Sequence, residues 1–276
     1  MKKYYSALKI ICIAALVISL IALVAVIAYV LINGVGKLSI GLLVGNNSAS
    51  PTILPALVGT LELVGIASVI AVPIGIASAI FLVEYTNNKG KFVRTVQVAT
   101  ETLAGIPSIV YGLFGYLVFV VACGWGYSML GGGITLAIMI LPTIVRSTQE
   151  SLLAVESGLR EGAYALGTSK VRTIFKIVLP SAAGGIVTAV ILAIGRVASE
   201  SAVLILTIGM VVSKVPETLM SPGTSLALDI YYFASHGYPD ESAATAVVLL
   251  VFVIMLNLLA GWIGKLIKKS TYGDGK

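Results

Sequence analysis

A chain of 276 residues in which 58% are hydrophobic and only 11% charged is not a soluble domain, where charged side chains approach a quarter of the total. Its composition is that of an integral membrane protein. The net charge of +6 calls for no nucleic-acid partner, because the basic residues flank apolar runs in separate loops and tails instead of forming one patch.

Six apolar segments are predicted. The first, 10–32, exceeds the ~18 to 20 residues that cross ~30 Å of hydrocarbon. It is too long for a cleaved leader and has no clear small-residue cleavage site, so it reads as a retained anchor. The second, 57–83, carries Glu62 near its outer end and is bounded by Glu84. From Thr102 to Val145 there is no charge at all, a run too long for one helix, and "CGWGYSMLGGG" supplies a turn in its middle. This predicts a third span at 102–122 and a fourth at 133–147. The fifth, 180–209, contains Arg196 and Glu200, and the sixth is 243–264. Backbone exposed to lipid must satisfy its own hydrogen bonds, so each span is predicted to be helical. The expected fold is an all-α polytopic membrane protein, one domain over 1–276 with six transmembrane helices.

Orientation follows from the basic residues. Of the 18 lysines and arginines, all but Lys37, Lys214 and the intramembrane Arg196 fall on one side in a six-span arrangement. The positive-inside rule makes that side the cytoplasm, with both termini there. Cys12 and Cys123 lie toward opposite membrane faces, so no disulfide is expected. His236, in the outer segment 212–241, has no set of histidine or cysteine ligands around it, and no metal is assigned. With its aromatics beside acids, "DIYYFASHGYPDES" in that segment is a docking surface for a solute-binding protein. Pro73 with Gly75, and Pro107, are candidate hinges, although both residue types are frequent in membrane helices. Glu62 and Glu101 read as interfacial.

Two places carry more polarity than a membrane protein needs. The cytoplasmic loop 148–179 contains "EGAYALGTSKVRTIFKIVLP". A short helix there is predicted to stop at Gly167, with Thr168 or Ser169 capping a second that runs to Leu179 and Pro180 marking the return to the bilayer. The other place is "AIGRVASESAVLIL". Counted from Pro180 at ~1.5 Å per residue, Arg196 lies ~24 Å along the fifth helix. Arg196 and Glu200 are four residues apart, on one helical face. Either they satisfy each other and fix helix contacts, or they face a pathway, as ionisable groups at depth usually do. An arginine offers an oxyanion a planar fork of donors. Glu200 can accept a hydrogen bond from a solute that still carries a proton. Arg146, after "LPTIV", is either a second anion contact at the inner mouth or a snorkelling anchor.

The spacing in the loop is specific. Glu161, Ala163, Gly167, Ile177, Leu179 and Pro180 match the EAA loop of ATP-binding-cassette importer permeases position by position, with Gly162 in place of its middle alanine. Further motifs, "LAGIPSIVYGLFGY", "LPTIVRSTQESLLAV" and "AIGRVASESAVLILT", together with "LPALVGTLELV" and "SLALDIYYFA", resemble the permease subunit of bacterial phosphate importers, the PstA type, over most of the chain. After the arginine this chain has Ser-Glu-Ser-Ala-Val where that family commonly has Gly-Glu-Thr-Ala-Pro.

The resemblance implies a type I importer permease (MetI-like) architecture in the bacterial inner membrane. It makes 161–180 the coupling element that docks on an ATPase, and Arg196 with Glu200 part of the phosphate path. The implied partners are a homologous permease (PstC type), an ATPase dimer, an extracytoplasmic phosphate-binding protein, inorganic phosphate and lipid, with no cofactor. No G-x-x-x-x-G-K-[ST] loop is present, so hydrolysis is expected in partner subunits and not here. Another oxyanion such as sulfate or molybdate is the alternative cargo. An intramembrane enzyme using Glu200 as a base finds no H-E-x-x-H and no paired nucleophile to support it.

Overall fold

Amides placed in hydrocarbon bond within their own segment, and in the computed structural model every regular element among the described residues, 2–44, 52–86 and 90–272, is helical. Lys89 and Lys276 of the basic set lie outside them. In order these are α1 (Lys2–Gly34), α2 (Ile40–Val44), α3 (Leu54–Ile80), α4 (Lys91–Ala104), α5 (Ser108–Gly115), α6 (Met129–Leu153), α7 (Ser157–Ala165), α8 (Lys170–Thr173), α9 (Leu179–Ala198), α10 (Ala202–Thr207), α11 (Leu226–Ser235) and α12 (Pro239–Tyr272). Among the described residues five helical stretches are long and apolar enough to cross a membrane, and the bent pair that α4 and α5 begin makes up to six.

The core lies between α3, α6 and α9. Leu63, Ala67 and Ala71 of α3 meet Leu136, Met139, Ile140 and Ile144 of α6, with Ala193 and Val197 of α9 closing the cluster. Between lipid-solvated helices there is no hydrophobic gain to draw on, so small residues that admit close contact set the interface. The α3–α6 seam is reciprocal. A Cβ on Gly75 of α3 would lie 2.6 Å from an Ile144 methyl, and one on Gly133 of α6 would lie 2.6 Å from an Ile66 methyl. By contrast α1 is exposed over nearly all of 8–34, and its main contacts are with α12 and the turn that follows it.

Several boundaries differ from the sequence reading. The third segment was expected as one span at 102–122; instead the chain bends by 95° between Lys91–Ala104 and Ser108–Ala122. Pro107 has no N–H and disfavours helical geometry in the residue before it, so it marks the start of α5 and is not a hinge within a helix. The fourth helix was expected at 133–147 and is longer at both ends. At its start the Ser128 hydroxyl accepts from Gly131 N, and the carbonyls of Ser221 and Leu219 take the Met129 and Leu130 amides. At its end the polar run after Arg146 stays helical because Thr148, Gln149 and Leu152 are buried.

The second helix expected to run to Leu179 forms from Lys170, but in place of a turn at Pro180 it continues unbroken into the fifth span, so that span begins at Lys170 and not at Pro180. Wide π turns over Ile174–Val178 precede Pro180, where regular α geometry would drive the ring into the preceding turn. The span was also expected to reach 209, yet α9 stops at Ala198. Here side chains compete with the helical ladder: the Ser199 hydroxyl donates to the Gly195 carbonyl at 2.9 Å, while Glu200 Oε1 accepts from Ala202 N at 3.1 Å and starts α10. Pro73, in contrast, leaves α3 unbroken.

The outer segment is anchored through α11. The Ser225 hydroxyl caps that helix by accepting from Leu228 N, and Thr60 Oγ1 of α3 accepts from Leu226 N at 2.9 Å. Asp229 is fully buried; Thr224 Oγ1 donates to its Oδ1, and its Oδ2 has no hydrogen-bond partner. Burial pushes this carboxyl up to about 7, against the smaller lowering effect of the Thr224 bond. A folded-state value above the unfolded one means that the stabilisation is complete below the unfolded value near 3.8 and is lost as pH rises through about 7. Thermal stability of the purified protein is therefore expected to fall between about pH 4 and pH 7, and Asp229→Asn to remove about 1–3 kcal/mol of that fall. Equal slopes for the two proteins would show that Asp229 is not the group responsible.

Candidate anion path and coupling elbow

Arg196 sits in the last turn of α9 and is exposed. Among the described residues its guanidinium has no ion pair and no hydrogen bond, and Tyr111 of α5 lies within its electrostatic reach. A cation in this position also complements the helix C-terminus. The expected common face with Glu200 does not form, because the helix has ended before that residue. Glu200 is half-buried and bonded to the α10 amide, so the reading in which the two charges satisfy each other is not what the chain adopts.

Arg146 is arranged differently. Its Nε lies 3.1 Å from Glu150 Oε1 one turn on, and its Nη1 lies 3.5 Å from Glu101 Oε1 of α4. All three side chains are more than half exposed, so the triad contributes little stability. Arg146 thus reaches the surface with its charge compensated, and it links α4 to α6. Glu62, read as interfacial, is half-buried on α3, and its Oε2 is buried without a hydrogen-bond partner.

A feature the sequence reading missed is a groove of about 790 Å³ between α6 and α9. Ser147 and Ser151 line it from α6, Ser181, Thr188 and Leu192 from α9, and Glu156 from the turn below. Lining positions 185, 189 and 192 on α9 continue at helical spacing to 196, so Arg196 shares the groove's face beyond its far end. The hydroxyls of Ser151, Ser181 and Thr188 donate to carbonyls one turn back at 2.7–2.8 Å. The signal for the groove was available in the one-turn spacing of Ser147 and Ser151 and the two-turn spacing of Ser181 and Thr188.

The elbow is built as its spacing implied. Glu161, Gly162 and Ala163 lie on α7, with the first two exposed and Ala163 buried. Gly167 has φ +75°, and the bonds Thr168 N to Ala163 O and Gly167 N to Tyr164 O close the helix end in a Schellman arrangement, which needs a left-handed residue there. Ser169 holds the cap position of α8, although its hydroxyl caps nothing. Leu166, at the tip, is 87% exposed. Ile177 is half-buried, Pro180 exposed, and Leu179 packs against the cluster of Leu152, Val155 and Val178 at the elbow's base.

In the outer segment His236 stacks on Tyr232 and its Nδ1 lies 2.9 Å from that residue's carbonyl oxygen, while Tyr231 and Tyr238 are exposed. Among the described residues no group of three or more potential metal ligands occurs.

Residues 71–271 match the family of binding-protein-dependent transport system inner membrane components. The chain is 34% identical over 269 residues to a probable ABC transporter permease of Bacillus subtilis, YqgI, covering 90% of each. It is 36% identical over 213 residues to the phosphate transport system permease protein PstA 1 of Mycobacterium tuberculosis, covering 75% of this chain and 69% of that one. With the PstA of Yersinia pestis it shares 37% over 217 residues, covering 78% and 72%. Among solved structures, the inward-facing MetNI methionine ABC transporter superposes with a TM-score of 0.63 at 20% identity, over 76% of this chain and 93% of that one. At that identity the likeness is one of fold.

Proposed function

Because the chain belongs to the family of binding-protein-dependent transport inner membrane components, the non-catalytic membrane subunits of ABC importers, we propose that it carries inorganic phosphate and is driven by a separate ATPase. The observation that carries this reading is Arg196, an uncompensated cation on the face that continues into a hydroxyl-lined groove. The relatives named as phosphate transport permeases support the same cargo. Phosphate released by an extracytoplasmic binding protein docked near Tyr231 and Tyr238 meets the Arg196 fork, which matches two of its oxygens. It then leaves along Ser181, Thr188 and Ser151 toward the cytoplasm. The open side of the groove is walled by a homologous permease of the PstC type.

Glu200 is the selective element. One of its oxygens is engaged by Ala202 N, and the other is available to accept a proton-bearing oxygen. Phosphate keeps at least one proton at neutral pH and sulfate keeps none, and a site built to bond a hydroxyl rejects an analogue that lacks it. Nucleotide-driven closure of an ATPase dimer acts through the elbow, 157–169, whose exposed Gly162 and Leu166 form the docking edge. Both termini and the elbow are cytoplasmic, as the basic residues require.

The test is uptake of labelled phosphate by proteoliposomes containing the assembled importer, with unlabelled sulfate or molybdate in excess. Phosphate uptake that resists both competitors is expected, and equal competition would replace phosphate by oxyanions in general. For orientation, a cysteine at Lys214 is expected to label from outside and one at Lys170 only from inside; the reverse would invert the arrangement.

A further inference from the structure

One side chain makes four hydrogen bonds at the base of the elbow. Arg160, one residue ahead of Glu161 on α7, directs Nε and Nη2 to Glu84 Oε1 at 3.2 and 3.0 Å. Its Nη1 donates to the Val155 carbonyl and its Nη2 to the Leu152 carbonyl, both at 2.8 Å. Glu84 belongs to the π turns Phe81–Tyr85 that extend α3, and Leu152 and Val155 lie where α6 ends. One guanidinium therefore ties three segments together and satisfies carbonyls that the end of α6 leaves free.

The setting separates this pair from the Arg146 triad. The Glu84 side chain is 6% exposed and that of Arg160 19%, so removing either partner leaves a sheltered charge without compensation, a costly change. A second contact grips the same place from the other side of the bend, where Lys170 Nζ lies 4.9 Å over the Tyr85 ring. The cytoplasmic end of α3 is thus held by the residues that lead into the elbow and by those that lead out of it. Between these two points the elbow is exposed save for Ala163 and the half-buried Thr168.

We infer that Arg160 is a positioning residue, and that its pair with Glu84 is a brace delivering displacement of the elbow directly to α3. Without it, motion would reach α3 only through the Lys170–Tyr85 contact and side chains packed between the helices, since the elbow's own chain leads to α6 and α9. With it, α3, α6 and α9 move as one body, and their shared face, which carries the groove and Arg196, is reoriented in a single step. This rests on reading α7 as the docking element for the ATPase.

The experiment uses the complete importer in proteoliposomes and measures phosphate moved per ATP hydrolysed, alongside ATPase co-purification. The pair Arg160→Met with Glu84→Leu removes both charges together, so no uncompensated charge is left to unfold the chain. The expected result is retained ATPase with transport per ATP lower by about tenfold. Glu84→Gln, which keeps the shape and the acceptor oxygen, tests the same point with less perturbation and is expected to lower the ratio by about threefold. An unchanged ratio in both would overturn the brace and leave docking intact. Loss of the ATPase in both would also overturn it, by showing that Arg160 shapes the docking surface instead of transmitting motion. Failure of the wild-type chain to retain the ATPase would sink the docking reading itself, a distinguishable result.

Discussion

Arg196→Ala is expected to lower phosphate uptake by about 10- to 100-fold, the loss of one or two hydrogen bonds to a charged group, while the complex assembles as before. Both halves follow from the same geometry. The guanidinium has no hydrogen bond or ion pair within this chain among the described residues, so its removal strands no partner. What is lost at the end of α9 is a favourable charge at a helix C-terminus, about 0.3–1 kcal/mol. Arg196→Lys keeps the charge without the fork and should fall between the two. The measurement is initial uptake at saturating ATP, with yield of the complex as the control. Uptake at the wild-type rate would end the oxyanion role. Loss of assembly instead would show that Arg196 serves contact with the partner permease.

The second large effect is expected at Gly162. Nothing lies within 4 Å of a Cβ built there, and the residue is exposed on α7. Gly162→Trp therefore leaves this chain's own fold intact and, by replacing a glycine within a helix, relieves part of the roughly 1 kcal/mol that glycine costs there. Any defect must arise in the partner. The indole occupies the space into which the ATPase groove would close, so co-purification of the ATPase is expected to fall by about 30-fold or more, the range of a disrupted hot spot. Gly162→Ala restores the three-residue pattern of related elbows and should bind as the wild type does. Substitution at Gly167 gives a less clean answer, since its φ of +75° strains any other residue whether or not a partner docks. Full retention of the ATPase by Gly162→Trp would remove α7 from the docking surface.

These expectations draw on different amounts of sequence information. The elbow's two helices and its glycine bend could be read, because they lie within twenty consecutive residues and are governed by local bonds; the turn expected at Pro180 was not there, since the helix from Lys170 runs through it. The groove could not, since Ser151 and Ser181 meet only when α6 and α9 cross. Arg146 shows the same limit. One of its partners, Glu150, is one turn away and could be paired by counting, but Glu101 reaches it only because the chain bends by 95° ahead of Pro107. Arg160 was counted as one more basic residue on the cytoplasmic side, and nothing near it in the chain pointed to Glu84, 76 positions earlier.

By itself the sequence determined that this is a helical membrane protein, with a bent polar element between its apolar segments. Those properties follow from solvent transfer and local hydrogen bonding, which depend on composition and near neighbours. The tertiary structure decided which charges meet. It ended α9 before Glu200, leaving Arg196 without a carboxylate, and it closed Arg160 onto Glu84. Ion pairing falls off so steeply with distance and exposure that only the juxtaposition of remote segments distinguishes a compensated cation from one available to an anion.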